Sequence, residues 1–232
     1  MLAPFIVLDG VDGVGKTTQT ERLMARLAAE NIAAQMVSFP RYGKPSAIPV
    51  EMYLHGEFGS LDKVTAEQGS IFYAVDRFHA RAEMMMALEA GSVMVSARYV
   101  TANMGHQGSK VLAQGIERLR EFLVWNDNLE HGIFALPRPT LTLILYVPPE
   151  ISLKRIVDRG VADIHEGNEA HIRAAAETYR SIAELYPGAK LIDCAPDGVE
   201  LTIDQVHELI WEEVRGVLPL QICTNLSSHL AI

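Results

Sequence analysis

The 232-residue chain carries 20 basic and 29 acidic residues, a formal net charge of −9, so its overall field gives no attraction to nucleic acid or anionic membrane. A hydrophobic content of 49% excludes disorder as the default and suits one domain with a sizeable core. Two cysteines, Cys194 and Cys223, exclude a disulfide framework or a paired-cysteine metal site, and no apolar run approaches the ~20 residues of a membrane helix, so an untargeted cytoplasmic protein is expected.

In chain order, "PFIVLD" is an apolar run ending at glycine, the pattern of a strand buried on both faces. "AAQMVSF", "GSVMVSA", "LTLILYV" and "AKLID" read as comparable strands. Helical patterns lie between them at Lys16 to Ala29, Thr65 to Ala90, Ser109 to Asn128, Glu150 to Arg159, Glu166 to Leu185 and Leu201 to Val217, while Asn128 to Thr140 reads as a loop. Such alternation predicts an α/β fold: an open parallel sheet of about five strands with helices on both faces and ligands beyond the strands' carboxyl ends. One domain over 1–217 is expected, with a tail at 218–232.

Between the first strand and the first helix, "GVDGVGKT" matches G-x-x-x-x-G-K-[ST], in the context that the phosphate-binding loop requires. Gly10, Gly13 and Gly15 let backbone N–H groups converge on phosphate oxygens, the helix N-terminus adds its positive dipole end, and Lys16 adds a cation. Thr17 offers a hydroxyl to Mg²⁺, and Thr18 follows it in the first helical turn. ATP is the expected ligand. An "NKxD" stretch, which would read guanine, is missing, and "SVMVSARY" ends in Ser96, Ala97 and Arg98 rather than the acid of a motor ATPase. Arginines follow the other strands and helices instead, Arg41, Arg77, Arg98, Arg155 and Arg159, which suggests a second anion pocket facing the first.

Together "DGVDGVGKTTQ", "FPRYGKP", "YLHGEFG", "AVDRFHA", "RYVTANMGHQG" and "DRGVADIHE", in this order, resemble the thymidylate kinase family over about the first 180 residues. The resemblance implies a P-loop kinase that phosphorylates dTMP to dTDP with ATP and Mg²⁺, generally as a homodimer, with a mobile lid at about 155–166. It also implies that Asp12 faces the acceptor sugar rather than the triphosphate. Arg98 would grip the acceptor phosphate, Arg41 would sit where the two phosphates meet, Arg77 would reach the thymine carbonyl edge, and Tyr73 would stack on the ring. Asn103 and Gln107 would line the nucleotide pocket, His106 would contact the sugar, and Glu166 would accept from the acceptor nucleotide or a metal-bound water. In the lid, Arg159 is the first choice for the transfer-stabilising cation, with Arg155 also on the ATP side.

Two positions depart from the family pattern. The acid that often precedes the strand-end arginine is Ala97 here, and the lid reads Asp163, Ile164, His165, Glu166. Mg²⁺ would then rest on Thr17, phosphates and water, with Asp12 or Asp9 helping through water. A kinase for another pyrimidine nucleotide or deoxynucleoside, and a nucleotide-binding regulator, are the alternatives.

Overall fold

The structure is a computed structural model that describes residues 2–60, 63–159 and 169–218, except the side chain of Arg159. The expected lid residue Glu166 and the tail beyond 218 lie outside the described residues.

Each buried apolar run forms a strand and each helical pattern a helix, in the order β1 (Phe5–Asp9), α1 (Lys16–Ala29), β2 (Ala34–Ser38), α2 (Ile48–Leu54), α3 (Ala66–Glu89), β3 (Val93–Ala97), α4 (Val100–Leu112), α5 (Ile116–Asp127), β4 (Leu141–Tyr146), α6 (Pro149–Arg159), α7 (Glu169–Leu185), β5 (Ala189–Asp193) and α8 (Ile203–Val217). The strands form one parallel sheet ordered β2-β3-β1-β4-β5. Every residue of β1 and β3 is buried, because these strands are paired on both sides and covered on both faces. β2 and β5 stand at the edges and are partly exposed, Met36 at 53%, so their sequences only resemble the central ones.

Two boundaries differ from the sequence expectation. The pattern from Ser109 to Asn128 is the last turn of α4, which begins earlier at Val100, followed by α5, with Gly115 between them at a φ of 111° that a side chain would resist. The expected loop after α5 begins with six more helical residues, Asn128–Ile133, wound one residue wider per turn. That turn carries Glu130 into the interior.

The sheet order changes direction at β1, whose next strand in the chain lies two places away, and its β1–β3 register sets Leu8 beside Ala97. The residues leaving both strands therefore open onto one crevice, where open α/β sheets bind ligands.

Candidate active site

β1 ends in Asp9, which is wholly buried and ties the crevice together. Its Oδ1 accepts from Gly10 N and Tyr179 Oη, both at 2.9 Å, and its Oδ2 from Thr101 Oγ1 at 2.6 Å and Tyr99 N at 3.4 Å. Asp9 thus joins β1 to α4 and α7, and both oxygens are spent on protein donors, which corrects the expectation that it helps hold Mg²⁺.

The chain then turns through the phosphate loop. Gly10 has φ 135°, and a Cβ there would lie 2.3 Å from Leu145 O; at Gly13 it would lie 2.8 Å from Ser152 O. Only glycine lets the loop pack this closely on β4 and α6. From α6, Ser152 Oγ donates to Asp12 O, and Arg155 Nη1 donates to Gly13 O at 3.0 Å while pairing with Glu200. Arg155 therefore sits directly behind the loop. Lys16 Nζ donates to Gly10 O and Val11 O, at 2.8 and 2.9 Å, so its ammonium lies within the loop's curve. Thr17 and Thr18 are exposed in the first turn of α1, which has no side-chain cap. Those first N–H groups and the Thr17 hydroxyl fit a phosphate chain with a hard cation beside it. Among the described residues no three His, Cys, Asp or Glu could hold a metal by themselves, so an oxygen set shared with phosphates and water is the one that fits.

Across the crevice Arg98 leaves β3 with φ 64°, a left-handed backbone that an L-residue adopts at a cost. Its N–H still donates to Leu8 O at 3.0 Å, extending the ladder, so the turn swings the side chain back over the loop. There the guanidinium pairs with the Asp12 carboxylate, which lies 3.7 Å from Lys16 Nζ and 3.9 Å from His106 Nε2. The acid within the phosphate loop is thus tolerated because it faces cations.

Asp12, Arg98 and His106 line a cleft beside the phosphate loop. Its far wall is Tyr73 and Arg77 from α3 with Asn103 from α4. Tyr73 is half-buried and meets the Tyr53 ring edge-on. Arg77 has 1% of its surface exposed and is paired with the fully buried Glu130, with Nε to Oε2 at 2.6 Å. Burial alone would lower the Arg77 pKa; the Glu130 charge outweighs it and holds the guanidinium above its ordinary value. Asn103 Nδ2 donates to Ser70 O at 3.0 Å and Glu130 Oε1 at 2.8 Å.

Six of the expected acceptor residues, Asp12, Tyr73, Arg77, Arg98, Asn103 and His106, converge on this cleft. Two do not. Arg41 turns to the other side of its loop, where its backbone N–H and guanidinium meet Asp76, buried to 1%, and the neighbouring Tyr42 lines the cleft instead. A buried carboxylate needs a counter-ion, and Arg41 is the one within reach. Gln107 is fully buried, bonded to Tyr53 Oη and packed on Gly69, where a Cβ would lie 2.6 Å from its Oε1; it joins α2, α3 and α4 rather than lining the wall. Sequence reasoning missed Tyr42 and Phe39 with Pro40, which also border the cleft, and Glu130, which lies buried behind Arg77 and Asn103. Nothing in the mixed stretch around Glu130, "NLEHGIF", singled it out.

A phosphate loop facing an arginine across the carboxyl ends of β1 and β3, with a cleft beside that arginine, is the arrangement of a P-loop kinase. Within that class, the chain belongs to the thymidylate kinase family, whose model matches residues 8–210. Similar relatives include the probable thymidylate kinases of Thermococcus kodakarensis, 30% identical over 89% of this chain and 96% of the relative, and Pyrobaculum aerophilum, 31% identical over 91% and 98%. The thymidylate kinase of Mycobacterium tuberculosis is 28% identical over 83% of this chain and 86% of that one. In fold, the solved thymidylate kinase of Candida albicans superimposes with a TM-score of 0.70 at 21% identity, covering 93% of this chain and 92% of that one.

Proposed function

We propose that the chain transfers the γ-phosphoryl group of ATP to dTMP, giving ADP and dTDP. One observation carries the reading: Arg98 and Asp12 meet at the rim shared by the phosphate loop and the cleft lined by Tyr73, Arg77 and Asn103. In the proposed reaction, the loop N–H groups and Lys16 hold the triphosphate, with Thr18 in the same first turn and Arg155 behind it. Arg98 leaves Asp12 for the acceptor phosphate, and Asp12 accepts from the deoxyribose hydroxyl beside His106. Tyr73 stacks on the base and Arg77 donates to its carbonyl edge. An oxygen of the acceptor phosphate then attacks Pγ in line, forming one P–O bond as the bond from Pγ to the ADP oxygen breaks, with no covalent enzyme intermediate. Positioning and charge neutralisation supply the rate. Mg²⁺, bound with ATP, would offset phosphate charge, and Thr17 is the hydroxyl offered to it. Arg159 is proposed as the further cation on the transferring group, and Glu166 as an acceptor on the nucleotide side.

We also propose a homodimer, because Ile71, Val75 and Phe78 leave an exposed apolar stripe at helical spacing on α3. A cytoplasmic location is proposed as well, in keeping with Cys194, a buried thiol that is free. The test is ADP release with dTMP, dUMP, dCMP, AMP and thymidine as acceptors. The reading expects dTMP to give the highest kcat/KM; a flat signal with every acceptor despite ATP binding refutes it.

A further inference from the structure

Glu130 has no exposed surface, and its two oxygens serve two residues of the cleft. Oε1 accepts from both Arg77 Nη2 and Asn103 Nδ2, while Oε2 accepts from Arg77 Nε. The other Asn103 N–H goes to the Ser70 carbonyl. Both partners of Nδ2 are acceptors, so the amide cannot turn over: that would set Oδ1 against two oxygens. Asn103 Oδ1 itself is buried with no partner among the described residues. A buried oxygen left this way is costly unless a ligand supplies a donor. On the same cleft Arg77 spends Nε and Nη2 on Glu130, which keeps its Nη1 edge for other acceptors.

We infer that Glu130 is the positioning residue for base specificity: one carboxylate fixes Asn103 as a bare acceptor and Arg77 as a donor on the wall of the acceptor cleft. An acceptor beside a donor complements a base edge with a ring N–H next to a carbonyl, as in 4-oxopyrimidines. It mismatches an edge with a bare ring nitrogen next to an amino group, as in cytosine. Glu130 itself touches no substrate and acts through Arg77 and Asn103. This rests on the reading of the cleft as the dTMP site.

The test compares kcat/KM for dTMP and dCMP, KM for ATP, and Tm in wild type, Glu130→Gln and Glu130→Asp. In Glu130→Gln an N–H₂ replaces one oxygen, so one of the two acceptors that fix the Asn103 amide can become a donor and only the Ser70 carbonyl still holds its orientation. In Glu130→Asp the charge beside Arg77 is kept, but the carboxylate withdraws from Asn103 by one methylene, so this variant remains informative if Glu130→Gln fails to fold. Both variants should lower the ratio of dTMP to dCMP efficiency by at least about tenfold, with ATP KM within about twofold of wild type. A purely structural ion pair would lower both acceptors together; an unchanged ratio in either folded variant overturns the inference. Wild type that uses dCMP as readily as dTMP overturns it without any variant while leaving the kinase reading intact. Wild type inert with dTMP refutes the kinase reading itself, and the inference with it.

Discussion

Replacing Arg98 by alanine or by glycine separates what its side chain does from what its backbone costs. Both variants lose the guanidinium and its pair with Asp12, so that loss cancels between them. They differ in how they take up φ 64°. A left-handed conformation costs an L-residue roughly 1–2 kcal/mol, while glycine gives back about 0.4–1 kcal/mol through its freer unfolded chain. Arg98→Gly should therefore be the more stable by roughly 0.5–1 kcal/mol, or about 1–4 °C in Tm for a chain of this length. Both should lose at least about a hundredfold in kcat with dTMP, since removing one preorganised charge-stabilising donor costs about that much. Calorimetric unfolding reads the first difference, and a coupled ADP assay reads the second. An alanine variant as stable as the glycine variant would show that the turn after β3 is relaxed, and near-normal kcat in either would remove Arg98 from the acceptor phosphate.

Asp12→Asn should raise KM for dTMP by about tenfold and for ATP far less, since the lost carboxylate faces Arg98 and His106; equal changes in the two constants would reject its acceptor-facing role. Gly105→Ala should lower Tm by several degrees, because the new Cβ would lie 2.4 Å from Tyr179 Cζ and push that ring, whose hydroxyl bonds Asp9; an unchanged Tm would contradict the packing. His131 is held below its ordinary pKa of 6.5 mainly by burial, with Nδ1 bonded to Leu136 O, and His207 is lowered for the same reason. Below pH 6.5 the unfolded chain takes up protons that the folded chain refuses, so the full stability is present above that pH and falls by up to about 1.4 kcal/mol per pH unit per histidine beneath it. Urea unfolding at pH 7.5 and 5.5 measures the drop, and His131→Gln should shrink it; an identical drop in the variant would discard the mechanism.

The phosphate loop was legible because all its determinants lie within eight consecutive residues, and Arg98 because a strand-end position is itself local information. Tyr73 and Arg77 were legible as a pair one helical turn apart. The Glu130 partnership was not, since it joins residues 53 apart through a wide turn that no periodicity announces. Arg41 went astray for a related reason: the side of the loop to which it turns is decided by Asp76, a residue on another element that needs a counter-ion. Sheet position was equally hidden, since "AAQMVSF" and "AKLID" read as central strands and only the strand order leaves them at the rims.

The crowding around Asp9 says how little change that position tolerates. Asparagine keeps its shape but offers a single acceptor oxygen, while its amino group would face two of the four N–H and O–H groups now directed at the carboxylate. Even the most conservative exchange would set an N–H₂ against one backbone N–H, that of Gly10 or of Tyr99, which has nowhere to turn in a dry interior. Position 9 is therefore the keystone of the vault over the reactants: nothing bound there is converted, yet the span does not stand without it.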